Sequence, residues 1–355
     1  MALAPVFDVK EWEDQWKSLT RIGELTFKEG KPAVGLTPKE VVWKKNKAKL
    51  YRYAPHLPKR YSVPLLCVYA LINKPYIMDL APGNSLIEYL VQQGYDVYLL
   101  DWGEFGYEDK HLGFEEIVLD YVAKAVKKVQ RLTHSHSISL LGYCMGGTIT
   151  SMYSALHASD INIRNIIFMA TPIDFSDAGL FTKWLDERHF PIDKLVDTLG
   201  LIPPELIDLG NKLLKPITNF YGPTISLIDK AHDERFVSRW RLMNTWVSDG
   251  TPFPGEAYRQ WIKDFYQQNK LVKGEIELRG RRVDLSNITS NILNIIAKHD
   301  HIALPCQSKV VDNLVSSEDV TNAVINAGHI SLVFGRSATK ETYPTIHQWL
   351  DKRSG

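Results

Sequence analysis

The chain has 355 residues, 45% of them hydrophobic and 23% charged, which is ample material for a large buried core. Its 42 lysines and arginines nearly balance 41 acids, and a net charge of +1 leaves no field that would gather nucleic acid or an anionic membrane. Three scattered cysteines, Cys67, Cys144 and Cys306, exclude a disulfide framework or a zinc site and fit a reducing cytoplasm.

The N-terminal residues 8–27 carry Trp12, Trp16, Leu19, Ile22 and Leu25 at helical spacing, an amphipathic helix laid on the body. Charges run through the first 29 residues, so no secretory signal is expected there. Val41 to Tyr53 alternates around Asn46 and predicts a β-hairpin, whose lysine-rich tip (Trp43 to Lys49) reads as a solvated turn. The longest apolar run, Val63 to Ile72, falls far short of the roughly 20 residues that span a bilayer, so no integral membrane segment is expected.

From there strands and helices alternate. Strands are predicted at 63–70, 96–100, 137–141, 163–169, 292–296 and 320–325, and helices at 85–93, 114–133, 146–157 and 341–350. Short apolar strands separated by helices imply an α/β fold, a mostly parallel sheet covered on both faces. The alternation breaks between Asp174 and Asp284, a proline-rich stretch with helical pieces at 181–189 and 258–269. The core is therefore expected in two parts, 1–173 and 285–355. Residues 174–284 are read as an inserted lid over the carboxyl edge of the sheet, where such sheets bind ligands.

Within this frame Gly142-Tyr143-Cys144-Met145-Gly146 has the spacing of a nucleophile elbow, with sulfur where a serine oxygen is usual. The elbow is a sharp strand-to-helix turn, and the small Gly142, Gly146 and Gly147 let strand and helix approach closely. A helix N-terminus favours a thiolate there, so Cys144 is the candidate nucleophile. In the α/β-hydrolase order an acid and then a histidine follow. Asp300 in "IIAKHDHIALP" and His329 in "INAGHISLVFG" fall just past successive predicted strands, on the same edge as the elbow. His299 and His301 are rival bases better suited to a loop or supporting role. Cys67 reads as a core residue and Cys306 as a loop thiol. Two backbone donors should form an oxyanion hole: Met145 N–H, and a second from "ALINKP", for which Ile72 is chosen. Asn73 and Lys74 lie at that rim.

Several stretches together resemble the polyhydroxyalkanoate synthases: "VYALINKPYIMDL", "YDVYLLDWG", "LGYCMGGT", "WVSDGTPFPGEAYRQWIKDFYQQNKL", "NIIAKHDHI" and "AGHIS". The similarity is to the short two-subunit types (classes III and IV), closer to class IV through "GLTPKEVVWKKNKAKLYRY" and "KPITNFYGP". The resemblance implies an α/β-hydrolase fold and a cytoplasmic acyltransferase at the surface of polyester granules. It would polymerise (R)-3-hydroxyacyl-CoA, short-chain 3-hydroxybutyryl-CoA first, with release of CoA. Cys144 would carry the acyl chain, His329 would activate it, and Asp300 would orient His329 or activate the 3-hydroxyl. Trp246 would be a lid contact or core residue. The resemblance further implies no cofactor beyond the CoA of the substrate, a homodimer or higher oligomer, and a small separate activating subunit. A cysteine hydrolase of thioesterase or dienelactone-hydrolase type shares the elbow and the residue order, and a non-catalytic granule scaffold shares the fold.

Overall fold

The computed structural model describes Thr20, residues 30–55 and residues 60–355. The amphipathic helix expected at 8–27 lies outside the described residues, Thr20 excepted. The eight strands of the main sheet are β1 (Glu40–Lys45), β2 (Ala48–Tyr53), β3 (Leu65–Val68), β4 (Val97–Asp101), β5 (Ser137–Tyr143), β6 (Asn162–Met169), β7 (Asn291–Ala297) and β8 (Val320–Ile325). Their spatial order is 1-2-4-3-5-6-7-8. β2 runs antiparallel to both its neighbours, and from β4 to β8 every pairing is parallel.

Burial explains the composition of the strands. β3 is buried along its whole length, and so is β5 beyond its first residue, as central parallel strands covered on both faces must be. The edge strand β8 is half exposed, with Val324 turned to the surface. Polar residues inside the sheet face one another across the ladder. Asn165 on β6 donates to Ser139 Oγ on β5 at 2.9 Å and accepts from Asn291 on β7 at 3.0 Å. Asn294 on β7 donates to Asn322 on β8 at 2.9 Å. Each of these pairs is in register, so a slip by one residue would strand buried amides without partners.

The hairpin turns at Asn46, whose φ is +50°, as expected. Its tip is not simply solvated. Lys47 pairs with Glu108 and, at 2.9 Å, with Asp109, while Asn46 donates to the Tyr121 hydroxyl at 3.0 Å. The charge run is therefore partly a latch onto the loop after β4.

Four helices cover the two faces. α1 (Leu86–Gln92) begins at Ser85, whose hydroxyl accepts from Glu88 N–H. α2 (114–133) contains a wide π-type turn at Ile117–Val122, and α3 (Met145–His157) is buried through its first twelve residues. Between β6 and β7 the described residues hold no strand of the main sheet. Helices fill the space instead: α4 (Leu180–Trp184), α5 (Ile192–Leu199), α6 (Pro204–Leu213), α7 (Gly222–Lys230), α8 (Glu234–Val247) and α9 (255–267). α10 (Tyr343–Asp351) closes the chain against α1.

The helix expected at 181–189 stops at Trp184. The Asp186 carboxylate accepts from Arg188 N–H at 2.9 Å, a local turn that competes with continued helix. The helix expected at 258–269 is real but starts earlier and ends at Gln267. Among the described residues no helix is long and apolar enough to cross a membrane.

Candidate active site

Cys144 sits between the last residue of β5 and the first of α3, with φ +56° and ψ −130°. That backbone is strained for any residue with a side chain, and strain of this kind persists only where the surroundings enforce it. The surroundings here are glycines. A Cβ on Gly146 would strike the Val68 carbonyl of β3, and one on Gly147 would strike the Thr171 side chain. The elbow therefore presses α3 against the sheet at distances that only glycine allows. Cys144 N–H is held by the Met169 carbonyl at 2.9 Å, which fixes the turn from the β6 side.

Parallel strands deliver the other two groups to the same edge. Asp300 follows β7 and His329 follows β8. His329 Nδ1 meets Asp300 Oδ2 at 2.6 Å, both side chains being almost wholly buried. Asp300 Oδ1 accepts from Ile302 N–H at 2.8 Å and Ala303 N–H at 3.0 Å, so both carboxylate oxygens are engaged. The imidazole has Cys144 as its second side-chain partner. With Nδ1 given to Asp300, Nε2 is left for the sulfur. Tyr143 stacks on the imidazole, ring centres 5.2 Å apart, and donates its hydroxyl to the His329 carbonyl at 3.1 Å.

The electrostatics follow from this packing. Burial alone would push the His329 proton off, but the Asp300 carboxylate and the Cys144 sulfur outweigh it and hold the imidazole well above its ordinary range. For His301 the balance goes the other way: burial first, and then Lys215 nearby, lower it. His301 thus stands beside the site as a neutral group, whereas His299 is tied away from it, with Nε2 on Asn326 Oδ1 at 2.8 Å.

The remaining expected residues fall around this centre. Met145 opens α3, directly after the cysteine, and Ile72 lies half-buried in the loop after β3. That loop is gripped from the segment between β6 and β7. Trp246 donates its indole N–H to the Lys74 carbonyl at 2.8 Å, and Thr251 donates to the Leu71 carbonyl at 3.3 Å. Tyr76 just beyond donates to Asp249 at 3.0 Å. Trp246 is therefore a buried anchor of the loop. Asn73 takes a left-handed conformation there, φ +62°. Cys67 is fully buried in β3, where burial lifts its thiol to about 12, and Cys306 lies exposed in a short helix instead of a loop.

Three tyrosines lie near Cys144, and two of them escape the sequence reading. Tyr69 and Tyr143 are buried and Tyr266 half-buried, and their phenol protons are held on first by desolvation and also by the Cys144 charge. Tyr143 was legible as the neighbour inside the elbow. Tyr69, one residue past β3, and Tyr266, on α9, carry no local signal of their own. Among the described residues no cluster of side chains could hold a metal ion.

Comparison with known proteins bears on the fold and the family. Residues 63–335 match the family described as alpha/beta hydrolase fold, and residues 6–90 match the Poly-beta-hydroxybutyrate polymerase (PhaC) N-terminus. A carboxyl esterase from Bacillus coagulans superposes with a TM-score of 0.58 at 14% identity, over 90% of this chain and 99% of that one, which speaks to the fold alone. The poly(3-hydroxyalkanoate) polymerase subunit PhaC of Haloferax mediterranei is 40% identical over 91% of this chain and 65% of its own length. This chain thus spans just under two thirds of that relative. The PhaC subunit of Allochromatium vinosum is 37% identical over 90% of both chains, and that of Synechocystis 36% over 90% of this chain and 86% of its own. With relatives 36–40% identical over nine tenths of its length and the PhaC N-terminus matched at residues 6–90, the chain belongs to the PhaC family of poly(3-hydroxyalkanoate) polymerases.

Proposed function

We propose that this protein polymerises (R)-3-hydroxyacyl-CoA into polyester, with 3-hydroxybutyryl-CoA the favoured substrate, by way of an acyl group held on Cys144. The observation that carries the reading is the strained cysteine elbow facing a buried His329–Asp300 pair, in a chain 37% identical over nine tenths of its length to a named polymerase subunit. In this reading His329 holds the proton that leaves the thiol. The thiolate attacks the thioester carbonyl, the carbon–sulfur bond to CoA breaks, and the CoA sulfur takes the proton back from the imidazolium. The 3-hydroxyl of the next unit then gives its proton to His329 and attacks the enzyme thioester, which forms the ester and frees Cys144.

Sulfur suits this sequence because one thioester replaces another at little cost. The enzyme thioester also stays more open to a hydroxyl than an oxygen ester would. Asp300 acts through His329, since both its oxygens are already taken. Met145 N–H and the loop containing Ile72 would receive the carbonyl oxygen. Residues 174–284 would serve as the lid that excludes water, which decides between polymer and hydrolysis.

The names of the PhaC relatives call each a polymerase subunit, and that supports a second chain as partner, a small activating subunit, with the polymerase at the granule surface. The test is product analysis with 3-hydroxybutyryl-CoA, with and without co-expressed partner. Insoluble polyester from the parent chain, none from Cys144→Ala, and a rate raised by the partner are expected. Free 3-hydroxybutyrate as the sole product would favour the thioesterase reading.

A further inference from the structure

Tyr69 is the first residue beyond β3, whose last residue Val68 lies in register with Gly142 at the foot of the elbow. Its backbone packs directly on the start of α3: a Cβ on Gly146 would come within 2.8 Å of the Tyr69 carbonyl carbon. The carbonyl itself is fixed by the Trp102 indole N–H at 3.0 Å. The ring lies 5.6 Å from that of Tyr143, which in turn stacks on His329, so three rings stand in a row beside Cys144. Tyr69 is only 4% exposed. Among the described residues its hydroxyl makes no hydrogen bond, and it is not one of the fully enclosed side-chain atoms left without a partner, so the oxygen keeps access to what enters the site. Burial and then the nearby sulfur keep its proton in place, so it is available as a donor and useless as a base.

Resting on the acyl-cysteine reading above, we propose that the Tyr69 hydroxyl is a side-chain donor of the oxyanion hole, hydrogen-bonding the thioester oxygen beside Met145 N–H. The reaction gives it a task in both half-steps. When Cys144 Sγ adds to the carbonyl carbon, the carbonyl π electrons move onto oxygen. Tyr69 donates a hydrogen bond to that oxyanion and keeps its proton. Collapse re-forms the carbonyl and expels the CoA sulfur, protonated by His329. The same oxyanion reappears when the 3-hydroxyl attacks the enzyme thioester, and collapse then expels Cys144. A phenol in a dry pocket is worth more here than in water, because the charge it meets develops only in the transition state. It would add a side-chain donor to the backbone N–H expected from Ile72 in the same loop.

The test compares the full-length parent with Tyr69→Phe, which keeps the ring and removes the donor. Three quantities are measured: the single-turnover release of CoA from 3-hydroxybutyryl-CoA, the rate of Cys144 alkylation by iodoacetamide, and the thermal midpoint. Alkylation passes through no oxyanion, so it reports the thiolate alone. The expected result is CoA release slowed about 10²-fold, at unchanged KM, with alkylation and midpoint unchanged. Release at the parent rate would overturn the proposal, and so would alkylation slowed in step with release, which would place the phenol on the sulfur. If the parent shows no acyl group on Cys144, the proposal and the reading beneath it fall together, whereas a normal rate in Tyr69→Phe removes the proposal alone.

Discussion

At Asp300 both carboxylate oxygens are engaged before any substrate arrives, one by Ile302 and Ala303 N–H and the other by His329. This has a consequence that can be measured. Because the folded pKa of His329 is raised, its contribution to stability is complete below the ordinary histidine range and is lost as pH climbs through the raised value. Asp300→Asn removes the largest favourable influence on that proton. The variant should therefore lose most stability against the parent at mildly acid pH, with the gap narrowing as pH rises. Urea midpoints of both proteins across the pH range check this, and a gap that widens with pH would contradict it. At this scale the sequence disclosed Cys144, Asp300 and His329 because each stands at a strand end beside a small or turn-forming residue. It did not disclose Tyr69 or Tyr266. They come near Cys144 through tertiary packing, and a tyrosine at a strand end or on a helix looks like any other core aromatic.

Among the elements, the junction of β3, β5 and α3 is the most demanding. Gly146 faces the Val68 carbonyl with no room for a methyl group. Gly146→Ala should destabilise the protein by about 1–3 kcal/mol, the range for forced overpacking, read as a lower urea midpoint at unchanged slope. A midpoint equal to the parent's would show that the elbow can widen. The second demanding contact is the grip of Trp246 and Thr251 on the loop at 71–74. Trp246→Phe keeps most of the apolar contact but loses the bond to the Lys74 carbonyl, at a cost of about 1 kcal/mol. Amide exchange should then speed up at residues 71–74 while β5 and β6 stay protected; unchanged exchange would mean the loop is held by other contacts.

Strand and helix identities were legible here because buried parallel strands are short apolar runs and glycine or asparagine marks the turns, as at Asn46. Strand ends shifted by at most two residues, since the edges of hydrogen-bond ladders depend on neighbours. The segment between β6 and β7 was read poorly: α5, α6, α7 and α8 were not foreseen. Their apolar residues are partly exposed (Leu206, Leu209, Leu213, Ile225 and Ile228 among them), so the one-sided pattern that betrays a buried helix face is weak.

For the whole molecule, the parallel sheet matters because it brings three residues from distant parts of the chain to one edge, and the helices after β6 stand over that edge. Under the proposed function, that cover would set whether an acyl group on Cys144 meets a hydroxyl or a water. Mutations that loosen it, Trp246→Phe among them, should shift product from polyester toward free 3-hydroxybutyrate without abolishing CoA release. The ratio of the two products measures the shift, and a ratio equal to the parent's would detach the cover from the outcome.

The central claim is that the growing acyl chain is carried by the sulfur of the elbow. It is tested most directly by quenching the protein during turnover of 3-hydroxybutyryl-CoA and mapping the added mass on its peptides. The account predicts hydroxyacyl units on the peptide containing Cys144, absent after Cys144→Ala and removed by hydroxylamine. Turnover with Cys144 unmodified, or with the acyl group on Cys306 or Cys67, would contradict it.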